Sequence, residues 1–109
     1  MAKGQKGLKP STSIKVRHIL TEKASTSQAA LEEIQKGNSF ASVAAKYSID
    51  KARSGGSLGW MTRSGLVQEF SSVAFDLAPS TLDKPIIGQV KTKFGYHLIM
   101  VFLFVFISG

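Results

Sequence analysis

The chain has 109 residues and a mass of 11.7 kDa, enough for one hydrophobic core and too little for two domains. Hydrophobic residues make up 43% and charged residues 19%, which excludes general disorder; the lack of cysteine excludes a disulfide scaffold, a thiol nucleophile and a thiolate zinc site. Fourteen Lys and Arg against seven Asp and Glu leave a charge of +7 and a pI near 9.9, so an anionic partner fits.

The charge is uneven. Residues 1–23 hold Lys3, Lys6, Lys9, Lys15, Arg17 and Lys23 against Glu22, a balance of +5. Leu8 is the one large aliphatic side chain of residues 1–13, too little to offset the entropy of ordering them, and this stretch reads as a disordered basic arm. Two readings of the arm stand side by side: a solvated terminus, or an anion-binding element using Lys3, Lys6 and Lys9. It has neither the apolar run of a secretory signal nor the arginines of a mitochondrial presequence, and an intracellular setting is expected.

In residues 14–20, Ile14, Val16, His18 and Leu20 alternate with Lys15, Arg17 and Ile19, which predicts a strand with His18 on the face of Ile14 and Val16. Ser25, Thr26 and Ser27 offer capping oxygens before a helix over residues 28–36, with Ala30, Leu31 and Ile34 on one stripe and Gly37 as a stop. Asn38 or Ser39 caps a second helix carrying Phe40, Val43, Ala44 and Tyr47. Residues 48–59 are polar, basic and glycine-rich, a loop long enough to be functional, with Lys51, Arg53 and Arg63 on its rim. A short strand at 58–61, a helix at 70–77 ended by Pro79, and strands at 84–90 and 95–101 complete an α+β domain over 14–101, three or four strands in an antiparallel sheet with three helices.

Residues 98–107 are all apolar. Ten residues reach about 15 Å as a helix, half of a bilayer core, so a membrane anchor is not expected. Residues 102–109 are left as an apolar tail without assignment; a longer last strand, pairing with a second chain, shallow membrane insertion and an error in the gene model all remain open for it.

For chemistry, His18 and His97 each lie in an apolar strand setting, where a histidine of the core or surface is the ordinary reading. A metal site on the two histidines lacks a clear third ligand, Asp50 being the only obvious candidate, and GGSLG is neither a nucleophile elbow nor a phosphate loop, which leaves little metal, nucleotide or triad chemistry to build on.

Taken in order, VRHIL, GNSFASVAAKYSID, GGSLGW, LVQEFSSVAF and VKTKFGYHLIMV resemble the parvulin family of peptidyl-prolyl cis/trans isomerases, specifically its small basic branch without phosphate selectivity. The resemblance implies an FKBP-like α+β fold, a four-stranded antiparallel sheet flanked by three to four helices, and a site of His18, Asp50, Thr92 and His97 beside a proline pocket of Leu58, Met61, Leu66 and Phe70. It implies no cofactor, proline-containing polypeptides as substrates, a monomer in nucleus and/or cytoplasm, and DNA or pre-ribosomal particles as partners of the arm. Turning an X-Pro bond needs no nucleophile, only a lowered barrier of about 18–20 kcal/mol, which suits a chain without cofactor motifs. The segment after His18, TEKASTS, has no arginine cluster for phosphate; Lys51 and Arg53 beside Asp50 favour an acidic residue before proline. A binding or chaperone module of the same fold, tethered by the arm, is the alternative to an enzyme.

Overall fold

The computed structural model describes residues 13–105, the last three as backbone alone. Lys3, Lys6, Lys9 and the rest of the basic arm before Ser13 therefore lie outside the described residues. Four strands, β1 (Ser13–Thr21), β2 (Ser57–Met61), β3 (Gly88–Thr92) and β4 (Gly95–Val105), form one antiparallel sheet in the order β2-β1-β4-β3. Three helices accompany it: α1 (Ala24–Gln35), α2 (Phe40–Tyr47) and α3 (Gln68–Ala74), with 3-10 turns at Ala52–Ser54 and Arg63–Gly65.

The alternation in β1 sorts its side chains between two cores. Ile19 joins Leu98 and Met100 of β4 under α1 and α2, where Ala30, Ile34, Phe40, Val43 and Ala44 are buried. Ile14 and Val16 face the other way, with Ile99 and Val101, and pack on Phe70 and Ala74 of α3. His18 follows Ile14 and Val16 onto the α3 face, as the period of two requires. Ser39 caps α2, its hydroxyl accepting from the Ser42 amide at 3.2 Å.

Several boundaries differ from the sequence reading. Helix α1 starts at Ala24, and Ser25, Thr26 and Ser27 form its first turn instead of capping it; Ser27 is buried on the same stripe as Ala30 and Ile34. Helix α3 runs from Gln68 and ends at Ala74, because the amides of Asp76 and Leu77 turn back to Val73 and Ala74 in tight i to i−3 bonds well before Pro79. The strand expected over 84–90 is β3, four residues later at its start. Pro85 has no amide to donate, and the amides of Lys84 and Ile86 are taken by the hydroxyls of Thr81 and Ser80. At the other end β4 continues four residues beyond the expected stop, pairing Leu103, Phe104 and Val105 with Lys15, Ile14 and Ser13. Ser13, read as the end of the arm, belongs to this ladder.

Candidate active site

The α3 face of the sheet and the loop at 48–56 enclose a cavity of about 570 Å³. Phe70, Leu66 and Val67 from the start of α3, Leu58 and Met61 from β2, and His18 and His97 from the two central strands line it. All four residues assigned to a proline pocket, Leu58, Met61, Leu66 and Phe70, therefore line the same cavity.

The histidines are 79 positions apart in the chain and are not directly opposed: His18 pairs with Ile99, and His97 with Leu20. They are diagonal neighbours on one face of the sheet, which brings their rings together. The rings stack with centroids 5.1 Å apart and their Nδ1 atoms at 2.9 Å. Phe70 stands edge-on to both, 5.6 Å from His18 and 5.2 Å from His97. All three are almost wholly buried, at 4%, 4% and 2% exposure for His18, His97 and Phe70.

Hydrogen bonds fix the protons. The Asp50 carboxylate, 2.8 Å from His18 Nε2, only accepts, so His18 donates from Nε2 and its Nδ1 is an acceptor. His97 must then donate from Nδ1, which leaves its Nε2 to accept from the Thr92 hydroxyl at 2.7 Å. Thr92 Oγ1 in turn accepts from the Phe94 amide at 3.1 Å. The chain of donors thus runs one way, from the turn between β3 and β4 to the loop that carries Asp50. Burial holds both imidazoles neutral: it lowers His18 despite the bond and charge of Asp50, and with His18 beside it brings His97 down to about 4. Each ring nitrogen is spent on a neighbour, so the histidine pair has no lone pair left for a cation. Among the described residues there is no cluster of three metal-ligating side chains.

Asp50 is the solvent-facing member, its side chain 42% exposed. Its backbone is pinned by the Ser48 hydroxyl, which donates to the Asp50 carbonyl and accepts from the amides of Asp50 and Leu20. On the far side of the loop Gly56 passes so close to β1 that a Cβ there would lie 2.3 Å from the His18 carbonyl oxygen.

Seven of the eight predicted site residues line the cavity; Thr92 sits behind His97, outside it. The sequence reading passed over Leu20, Ile49, Val67 and Phe94, which line it too. Ile49 and Phe94 are 59% and 56% exposed. A phenylalanine in a two-residue hairpin turn, where glycine and small polar residues are usual, was the available signal.

An apolar cavity over neutral, mutually bonded imidazoles suits reactions in which a bound chain changes conformation without a covalent intermediate. Residues 1–103 match the model of the PPIC-type PPIASE domain. The chain is 54% identical over 93 residues to the peptidyl-prolyl cis-trans isomerase pin4 of Neurospora crassa, covering 85% of this chain and 72% of that protein. To pin4 of Emericella nidulans it is 52% identical over 94 residues, 86% and 73% of the two chains. The solved structure of NmPin, the parvuline of Nitrosopumilus maritimus, matches with a TM-score of 0.72 at 35% identity, over 86% of this chain and 99% of that one. PrsA from Bacillus subtilis gives 0.76 at 33% identity, over 84% of this chain and 35% of that chain. The chain belongs to the PPIC-type, or parvulin, family; it is a peptidyl-prolyl cis/trans isomerase, and its substrates are proline-containing polypeptides.

Proposed function

We propose that the prolyl bond turns in the cavity between α3, β2 and the 48–56 loop, with Leu58, Met61, Leu66 and Phe70 gripping the pyrrolidine ring. As the amide twists it loses resonance, and charge withdraws from the carbonyl oxygen towards the prolyl nitrogen. The less polar twisted form is favoured by the apolar wall, while the preceding carbonyl swings past Asp50. His18 and His97 move no proton; they form, with Thr92, a rigid neutral floor. The observation that carries this reading is the pair of neutral imidazoles locked to each other directly beneath the apolar cavity.

The test is the cis-to-trans rate of short X-Pro peptides, followed by NMR exchange, with wild type, Asp50→Ala and Phe70→Ala, each first shown to be folded. Catalysis that falls in both variants is the expected result. Full catalysis by both folded variants would move the reaction away from this cavity.

Substrate choice in this reading is independent of phosphate, since the segment after His18 has one lysine and no arginine. Lys51 and Arg53 are exposed beside Asp50 and favour an acidic residue before proline. Varying X across Glu, Leu, Arg and phosphoserine in the same assay reads both points. The enzyme acts as a monomer in the nucleus and/or cytoplasm. Lys3, Lys6 and Lys9 attach it weakly to DNA or pre-ribosomal particles, an attachment that the charge of +7 and the clustering of lysines before β1 support. Binding of a duplex oligonucleotide that weakens steeply with salt and disappears on deleting residues 1–12 is the expected outcome.

A further inference from the structure

The loop that carries Asp50 holds a costly shape. Lys51, directly after Asp50, has φ 57° and ψ 25°, a left-handed conformation that costs a non-glycine residue about 1 kcal/mol or more. Something must hold it there, and strand β1 supplies the grip at both ends. At the near end the Ile49 amide donates to the Leu20 carbonyl at 2.8 Å, and the Leu20 amide to the Ser48 hydroxyl at 3.0 Å. At the far end three consecutive carbonyls are taken. Arg17 Nη1 donates to Ser54 at 3.2 Å and Gly55 at 2.9 Å, and the His18 amide donates to Gly56 at 2.9 Å. The Lys51 carbonyl links this far end to Asp50, accepting from the amides of Ser54 and Gly56 at 3.0 and 2.9 Å.

Arg17 does not line the cavity. As the strand neighbour of His18 it points to the opposite face, towards α2, where a Cβ on Gly55 would come within 2.6 Å of Arg17 Nη1 and 2.9 Å of Ala41 Cβ. Only a residue without a side chain fits at that point. Among the described residues Arg17 is also the one side chain from outside the loop that donates to residues 51–56.

We propose that Arg17 is a positioning residue for the isomerase: by gripping the carbonyls of Ser54 and Gly55 it holds Asp50 on His18 Nε2, and through that bond sets the tautomers of both imidazoles. The role rests on the reading that the Asp50–His18–His97 floor serves the turning bond. One strand then does two jobs with adjacent residues, His18 forming the floor and Arg17 fixing the loop that completes it.

The test compares Arg17→Met, which keeps the stem and loses the donors, with Arg17→Lys, which keeps one cationic donor. Ring-nitrogen NMR of His18 and His97 reads the tautomers, and line-shape analysis of an X-Pro peptide separates kcat from KM. In Arg17→Met the Nε2–H signature of His18 gives way to averaging tautomers, and kcat drops by about tenfold or more, up to the roughly hundredfold that a misplaced group can cost, with KM nearly constant. Arg17→Lys recovers part of both. In an Asp50→Ala background Arg17→Met lowers kcat no further. Unchanged ring nitrogens in a folded Arg17→Met, or an equal additional drop in the Asp50→Ala background, would overturn the proposal. Should Arg17→Met not fold, the same readouts on Arg17→Lys decide it: unaltered tautomers and kcat overturn it, a partial shift in both supports it. If Asp50→Ala alone leaves kcat intact, the reading of the floor fails, and the ring nitrogens still report whether Arg17 places Asp50.

Discussion

Thr92 Oγ1 lies 2.7 Å from Nε2 of His97, and this bond ends the buried chain whose proton direction the Asp50 carboxylate sets at the other end. With His97 donating from Nδ1 to His18, the hydroxyl is the donor that pairs its Nε2. Thr92→Val keeps the shape and removes the donor, leaving a buried imidazole nitrogen unpaired at a cost of about 1–3 kcal/mol. Urea unfolding is expected to show that loss, and Thr92→Ser to recover most of it. A neutral Thr92→Val would mean that the hydroxyl does not orient the histidine.

Acid should undo the site before it undoes the helices. Both histidines have lowered affinity for protons in the folded state, His97 with a pKa of about 4 against 6.5 unfolded. The unfolded chain therefore binds more protons between these values, and stability falls as pH falls. It is fully present above about pH 6.5 and declines towards pH 4, with a slope near 1.4 kcal/mol per pH unit for each histidine involved. Urea midpoints across pH 4–8 measure this, and in His97→Phe the slope should shrink. A flat profile would show that the imidazoles are not held neutral.

His97→Ala opens a hole between Phe70, His18 and Thr92, and a loss of a few kcal/mol is expected from its volume and broken bonds. Rate constants for the folded fraction are expected to fall as well, because Asp50 and His18 lose their fixed geometry. If only the melting temperature falls and the rate holds, the histidine pair is a brace for the sheet and takes no part in turning the prolyl bond.

Ser39→Ala provides the opposite contrast. It removes the cap of α2, outside the cavity lining, and should cost about 1 kcal/mol in thermal or urea unfolding without altering the isomerisation rate. A changed rate would reveal coupling from α2 to the loop at 48–56.

How much of this was legible in the sequence depends on how local the cause was. The alternation of residues 14–20 and the Ser39 cap with its apolar repeat are local and read directly. The start of α1 is not, because burial of Ser27 depends on what packs across from it. The start of β3 was missed because its upstream amides go to the hydroxyls of Ser80 and Thr81, a partnership that no periodicity reveals. The continuation of β4 to Val105 follows from its pairing with residues 13–15, which an apolar run alone leaves open. At the site, only family resemblance joined His18 to His97, since their meeting depends on sheet register. The apolar wall was found from the same motifs, whereas Ile49 and Phe94 escaped notice as exposed loop residues, and Arg17 as one more surface cation.

Among the described residues strand β4 is the last element in chain order, yet it lies inside the sheet between β1 and β3. A ribosome delivers the chain from its N-terminus, so β1, β2 and all three helices emerge while the centre of the sheet is still missing. Neither core can close and His18 has no histidine partner until residues 95–101 are out. The domain therefore gains its fold and its site together, once β4 is out, and a chain that lacks β4 offers no partly working isomerase. The pairing of residue 18 with residue 99 across so much sequence also places the closing step among the slow, non-local kind.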